Sequence, residues 1–274
     1  MAKKQQKIFK RIIDIVYRES GIVLKDKPEL LEARLAGLAR KKGYSGPQDI
    51  LERLESDETG EAVIELLDQV STNLTYFFRE PAHFDFVSKV FLPRLLAGKK
   101  ARREQRIRFW SAACSSGEEP YSLAMTVREH LAGETGWDVK ILATDISTKV
   151  LQKGIEGRYS RQEVLRASPQ IVQSFFNRKG DHKNPIYEVT DEIKEMVTFR
   201  RLNLLDDSYP FTTPFDLIVC RNVMIYFDFK TKQALLRRFH KYMGEGAVLF
   251  TGHSESLYGF EHFFHRVQVA VYQK

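Results

Sequence analysis

From residue 107 onward, short apolar runs alternate with longer runs of helical periodicity, and this alternation limits the fold more than any other feature of the chain. Ile107-Arg108-Phe109-Trp110-Ser111-Ala112-Ala113 has the length and composition of a buried strand. Small residues follow it, then a helical pattern from about Glu119 to Leu131. Val139 to Asp145 is a second strand, and Phe215 to Cys220 another, with a helix after it over 230–243. Ala247 to Thr251 is a fourth, and Arg266 to Tyr272 reads as an added strand whose direction the sequence leaves open. Strands alternating with helices predict an α/β domain: a mostly parallel sheet with helices on both faces. Residues 155–200 are less regular, and the alternation in Ile186-Tyr187-Glu188-Val189-Thr190 predicts a small β insert there.

The front of the chain has a different rhythm. Residues 5–70 read as helices only. Ile8, Phe9, Ile12, Ile13 and Val16 recur at helical spacing, and Gly21 suits the stop. A second helix runs from about Pro28 to Lys42, with Leu30, Leu31, Leu35 and Leu38 toward a core and Lys25, Lys27, Arg34, Arg40, Lys41 and Lys42 toward water. Shorter helices are expected near 47–55 and 59–70. Ser71 to Glu80 breaks the pattern with turn formers and aromatics, and Pro81 opens a helix to about Leu96. Lys99 to Arg106 reads as a solvated basic connector. The plan is a helical domain over 1–70, a linker and helix over 71–106, and the α/β domain over 107–274.

The chain has 274 residues, of which 43% are hydrophobic, enough for a substantial core. No run reaches the roughly 20 apolar residues of a membrane span, and the basic start Met1-Ala2-Lys3-Lys4 lacks the apolar stretch of a secretory signal. Cys114 and Cys220 sit in apolar runs, which suits buried thiols in a reducing compartment. Metal-binding spacings are missing, and His262 and His265 lack a third ligand, so no metal is expected. The net charge of +7 favours an acidic partner, whether nucleic acid, anionic membrane or protein.

The chemistry concentrates at the first strand–turn–helix of the α/β region, where open sheets bind ligands. Ala112-Ala113-Cys114-Ser115-Ser116-Gly117-Glu118-Glu119-Pro120 lets a ligand approach the backbone, and Asp145 at the end of the second strand can accept both hydroxyls of a ribose. An adenosine-containing ligand is expected. Glu118 and Glu119 at the helix start would repel phosphate, but suit S-adenosyl-L-methionine, which carries a sulfonium and an ammonium. Small residues at such a turn and Asp at a strand end also occur in α/β folds without this ligand.

Further stretches resemble the chemotaxis receptor methyltransferase (CheR) family. They are Asn73 to Glu80, Trp110 to Ser122, Ala143 to Ser147, Asn203-Leu204-Leu205, Cys220 to Phe227, and Gly252-His253-Ser254-Glu255-Ser256. The six stretches run in order from Asn73 to Ser256, and the resemblance covers nearly the whole chain, including the helical domain in front. The resemblance implies a Rossmann-like S-adenosylmethionine methyltransferase domain behind an all-α domain. It implies transfer of methyl to glutamate side chains of methyl-accepting chemotaxis receptors, leaving S-adenosyl-L-homocysteine. By the same resemblance Asn73, Thr75 and Arg79 would meet the methionine end of the cofactor, Glu118 or Glu119 its amino group, and Asp145 its ribose. Asn203 and Leu204 would flank the adenine, Arg221 and Asn222 would close the pocket, and Arg79 and Tyr226 would stand at the methyl-transfer site. The basic helix bearing Arg34, Arg40, Lys41 and Lys42 is the expected docking face for the receptor's helical cytoplasmic region. A cytoplasmic monomer is expected, without nucleic acid or membrane insertion.

Blander readings stand beside these. Tyr76, Phe77 and Phe78 are expected to be packing anchors, and Val223, Met224 and Ile225 core rather than pocket. His253 suits a structural role as well as a substrate role, and Asp206 and Asp207 a solvated turn. Gly180 stands alone where one branch of the family has a glycine-rich turn, and Pro185 suits a blunted edge strand, so independence from a receptor tail peptide is expected. Two rival functions remain. A nucleic-acid methyltransferase fits the charge, although Arg221 to Tyr226 contains no proline where amino-group DNA methyltransferases tend to carry an Asn/Asp-Pro-Pro-aromatic motif. A non-catalytic cofactor-binding regulator fits a pocket without turnover.

Overall fold

The computed structural model describes residues 2–24, 28–70 and 74–274. The first part is a bundle of α1 (Ala2–Ser20), α2 (Pro28–Lys42), α3 (Pro47–Glu55) and α4 (Glu61–Val70). Ile12 and Val16 of α1 meet Leu31, Leu35 and Leu38 of α2, Ile50, Leu51 and Leu54 of α3 and Leu66 and Leu67 of α4 in one core. Of the basic residues on α2, Arg34 is half-buried while Arg40, Lys41 and Lys42 are exposed, and Lys42 pairs with Glu65 of α4. Lys25 and Lys27 lie outside the described residues.

Next come α5 (Pro81–Phe86), a π-helical turn (Val87–Phe91) and α6 (Leu92–Ala101) in one continuous helical rod. Pro93 has no N–H for the helical ladder, and the wide π turn just before it is a common way to accommodate such a break. The rod runs past Leu96, which corrects the expected basic connector. Lys99 lies inside α6, only 4% exposed, with its ammonium 2.9 Å from both Glu104 and Asp216. A buried ammonium is tolerable because two carboxylates replace its water.

The α/β part continues with β1 (Arg106–Ala112), α7 (Glu118–His130), β2 (Asp138–Asp145) and α8 (Thr148–Glu156). An insert follows, made of β3 (Arg158–Ser160), α9 (Arg161–Val164), α10 (Pro169–Phe175), β4 (Phe176–Lys179), β5 (Ile186–Val189) and α11 (Asp191–Lys194). The main sheet resumes with β6 (Val197–Arg201), β7 (Phe215–Val219), a 3-10 turn (Met224–Tyr226), α12 (Phe229–Tyr242), β8 (Met243–Phe250), β9 (His265–Gln268) and β10 (Val271–Gln273).

The seven strands of the main sheet run β6-β2-β1-β7-β8-β10-β9. The first five pair in parallel and the last two join antiparallel. Chain order reverses between β1 and β7, so a crevice opens at their carboxyl ends. Apolar residues pack on both faces, Phe109, Ile141 and Leu217 on one and Trp110, Ile218 and Leu249 on the other. Three details depart from expectation. Strand β6 lies within the stretch read as irregular. The terminal strand is a hairpin, broken where Ala270 adopts a φ of 59°. The insert's sheet has the order β3-β5-β4, so Pro185 leads into the central strand and β3 and β4 form the edges. Pro185 therefore does not blunt an edge. No described helix is long and apolar enough to cross a membrane.

Candidate active site

A cavity of about 400 Å³ lies over the carboxyl ends of β1, β2 and β7. Its floor begins with the turn after β1, where Ala113 (φ 61°), Ser115 (φ 49°) and Gly117 (φ 95°) all adopt left-handed backbone. A Cβ at Gly117 would stand 3.0 Å from Gly154 Cα and from the Phe199 ring, so glycine is required on both counts. The Cys114 N–H donates to the Thr144 carbonyl at 2.9 Å, and Tyr159 Oη donates to the Ser116 carbonyl at 2.7 Å.

Asp145 ends β2 facing this turn. Its Oδ2 accepts from Ser115 N and its Oδ1 from Ser147 N, each at 2.9 Å. A carboxylate offers about four lone-pair sites, so acceptor capacity is left for a ligand hydroxyl. Burial pushes the carboxyl above its usual range, against the opposing pull of these backbone donors.

The two glutamates at the start of α7 face different ways. Glu119 lines the cavity, accepting from Ser111 Oγ at 2.7 Å and from Arg221 Nη1 at 3.2 Å. Burial raises its pKa and the Arg221 charge opposes the rise. Glu118 is outside the lining and takes both its short contacts, 2.8 and 3.0 Å, from Ser116 Oγ. A helical turn advances about 100° per residue, so adjacent glutamates cannot share one face.

The remaining walls come from distant segments. Thr75 and Arg79 line one side, and Arg79 Nη1 donates to the Leu74 carbonyl at 2.7 Å. Tyr226, on the 3-10 turn, lines another. The Arg221 side chain is only 2% exposed and works as a strut, bonding the Arg79 carbonyl, Glu119 and Glu80. Asn222 has a φ of 60°, and its N–H donates to Glu255 Oε2 at 2.7 Å. A Cβ at Gly252 would fall 2.5 Å from Asn222 Nδ2, so that glycine lets the two loops close. Asn203 and Leu204 also line the cavity. Asn73 lies outside the described residues. Arg34, Arg40, Lys41 and Lys42 are not part of the lining.

Sequence reasoning missed the wall supplied by the helical bundle. Ser20 at the end of α1, and Ile22, Val23 and Leu24 just after it, line the cavity. They are held there by Val23 N to the Tyr226 carbonyl at 2.8 Å, by Asn203 Nδ2 to the Glu19 carbonyl at 2.6 Å, and by Tyr17 Oη to Asp228 at 2.6 Å. No local pattern marks these residues, because the contact joins positions about 200 apart. A second correction concerns Val223 and Ile225, which line the cavity, while Met224 alone of the three is core at 1% exposure. Phe77 is fully buried as a packing anchor, and the Tyr76 ring has the guanidinium of Arg166 3.7 Å and that of Arg79 5.8 Å from its centre.

A doubly covered α/β sheet with an acidic strand end, a glycine-containing turn and a crevice at the order reversal defines a Rossmann-like protein whose crevice suits a nucleoside cofactor. Residues 73–273 match the family described as CheR methyltransferase, SAM binding domain, and residues 7–71 match CheR methyltransferase, all-alpha domain. The chemotaxis protein methyltransferase of Borreliella burgdorferi is 43% identical over 251 residues, covering 91% of this chain and 88% of that protein. That of Escherichia coli is 40% identical over 250 residues, covering 90% and 84%. Among solved structures, the glycopeptide N-methyltransferase MtfA complexed with S-adenosyl-L-methionine aligns at a TM-score of 0.32 and 13% identity, over 53% of this chain and 46% of that one, a distant likeness.

The chain belongs to the CheR methyltransferase family. It is a methyltransferase of chemotaxis that uses S-adenosyl-L-methionine. The donor set fits that cofactor: one buried carboxylate with acceptor capacity left, a second at the cavity wall, and a volume within the range of about 300–1,000 Å³ usual for small-molecule pockets.

Proposed function

We propose that the enzyme transfers the methyl group of S-adenosyl-L-methionine to glutamate side chains of methyl-accepting chemotaxis receptors, giving glutamate methyl esters and S-adenosyl-L-homocysteine. The observation that carries this reading is the environment of Arg79. Its guanidinium reaches the cavity and bonds a carbonyl rather than a carboxylate, which leaves charged donors for an incoming one.

The cofactor supplies an electrophilic methyl on sulfur. A glutamate oxygen forms the new C–O bond as the C–S bond breaks, and the electron pair goes to sulfur. A glutamate side chain has a pKa of about 4.3, so it arrives ionised at neutral pH and the step requires no proton transfer. Arg79 steers the carboxylate, and the Tyr226 hydroxyl sets its angle. Esterification removes the charge that Arg79 holds, which favours release.

Asp145 takes the ribose hydroxyls and Glu119 the amino group of the cofactor. Asn203 and Leu204 flank the adenine, and Thr75 meets the methionine end. Arg221 and Asn222 support that wall, and Glu118 braces the turn from behind. Ile22, Val23 and Leu24 keep water from the reacting groups, so rate comes from alignment and desolvation.

The exposed basic residues of α2, Arg40, Lys41 and Lys42 with Arg34 beside them, dock on an acidic helical rod of the receptor. The chain works in the cytoplasm as a monomer. Incubation with labelled cofactor and receptor-bearing membranes tests the assignment: base-labile label on receptor glutamates, located by mass spectrometry, is expected. Label on nucleic acid, or binding without turnover, would refute it.

A further inference from the structure

Beside the methyl-transfer wall, three side chains outside the proposed chemistry converge. Glu80 is the N-cap of α5 in a left-handed conformation (φ 58°, ψ 70°), His83 lies one turn on, and His253 comes from the loop after β8. Left-handed backbone at a glutamate is a strained arrangement that persists only where its surroundings hold it. Glu80 Oε2 is 3.5 Å from His83 Nδ1 and 3.9 Å from His253 Nε2, and one donor atom from each residue fits within 4.8 Å.

His83 is 1% exposed, and neither ring nitrogen has a hydrogen-bond partner among the described residues; Glu80 Oε2 makes no hydrogen bond there either and is held by its ion pair with Arg221 at 3.3 Å. An unpartnered buried polar group costs about 1–3 kcal/mol, so the two orphaned nitrogens of the His83 ring, set beside a carboxylate, call for a ligand. The His83 ring is stacked 4.6 Å from Phe250 at 17°, which fixes its plane, and it stands edge-on to His253 at 5.3 Å.

We propose that Glu80, His83 and His253 form a binding site for one divalent transition-metal ion, zinc by the chemistry of the donors. Zinc binds imidazole nitrogen and carboxylate oxygen at about 2.0–2.2 Å, which puts tetrahedral neighbours about 3.4 Å apart. The 3.5 Å pair already meets this, and the 3.9 Å pair closes by a small turn of His253, whose side chain is 47% exposed. Arg221 carries one positive charge here, 3.3 Å from Glu80, and is outweighed by Glu80 and Glu119 together. Solvent reaches the site past His253 and supplies the fourth ligand. The ion clips the segment bearing Arg79 to the loop bearing Ser254, two parts of the cavity lining.

The test uses untagged full-length protein stripped with chelator. Calorimetric titration with zinc chloride should show one site per chain, and cobalt(II) in its place should give the intense visible absorption of a tetrahedral site. His253→Ala, at an exposed position, and Glu80→Gln should each weaken binding by about tenfold or more, with circular dichroism confirming the fold. No saturable zinc binding by the wild type, or wild-type affinity in folded His253→Ala, would overturn the proposal.

Discussion

Asp145→Asn should weaken S-adenosyl-L-homocysteine binding by about 10- to 150-fold. The substitution keeps shape and volume, which matters because the carboxylate has structural work as well. Its two oxygens hold the Ser115 and Ser147 N–H groups, both at 2.9 Å, and the residue is 7% exposed. Alanine would orphan both donors and open a void, mixing a folding defect with the binding defect. Asparagine keeps one acceptor, so one backbone N–H loses its partner at about 1–3 kcal/mol, partly offset because a buried charge is gone. A ribose hydroxyl loses a charged acceptor, worth about 1.5–3 kcal/mol, and every 1.4 kcal/mol is tenfold in affinity. Isothermal titration calorimetry reads the affinity, and thermal unfolding by circular dichroism shows whether the variant is folded at the assay temperature. A folded Asp145→Asn variant that binds within twofold of wild type would refute the ribose assignment.

Other outcomes follow from the same geometry. Arg79→Ala should lower turnover on receptor by about 10²–10³, the scale of one preorganised electrostatic donor, and Tyr226→Phe should also slow turnover while leaving S-adenosyl-L-homocysteine affinity nearly unchanged; near-wild-type rates for both would remove them from the methyl-transfer site. Reversing Arg40 and Lys41 to glutamate should raise KM for receptor by about 3- to 10-fold with little change in kcat, and added salt should narrow the difference; an unchanged KM would return α2 to a merely solvated face. Cofactor affinity should fall in mild acid, because burial raises the pKa of both Asp145 and Glu119 and each becomes neutral at a higher pH than an ordinary carboxylate. The sign for stability is opposite: the folded state holds these protons more tightly than the unfolded chain, so these two groups favour folding more as pH falls from their raised pKa values toward the ordinary range. Titrations at pH 7.5 and 5.5 separate the two effects, and affinity independent of pH would contradict the charged role of both carboxylates.

The sequence by itself determined the elements and the chemistry they could carry. Short apolar runs located β1, β2 and β7, and helical spacing located α7 and α12, to within a residue or two, because strands covered on both faces are apolar throughout and helices repeat their apolar face every 3.6 residues. The small-residue turn and the strand-end Asp145 were legible because a single local unit contains both the close approach and the acceptor. Less was legible where the deciding contact was remote. Glu118 and Glu119 are chemically identical neighbours, and only the docking of α7 against β1 and Arg221 chose Glu119 for the cavity. Lys99 looked solvated until the fold set Asp216 against it. Pro185 looked like an edge residue until β3, from about 25 residues earlier, paired on the far side of β5. The roof formed by Ser20 to Leu24 and the meeting of Glu80 and His83 with His253 depend on segments more than 150 residues apart. Local pattern reports which face of an element is apolar; it does not report which distant side chain will meet that face, because that partner is selected by the closure of the whole chain.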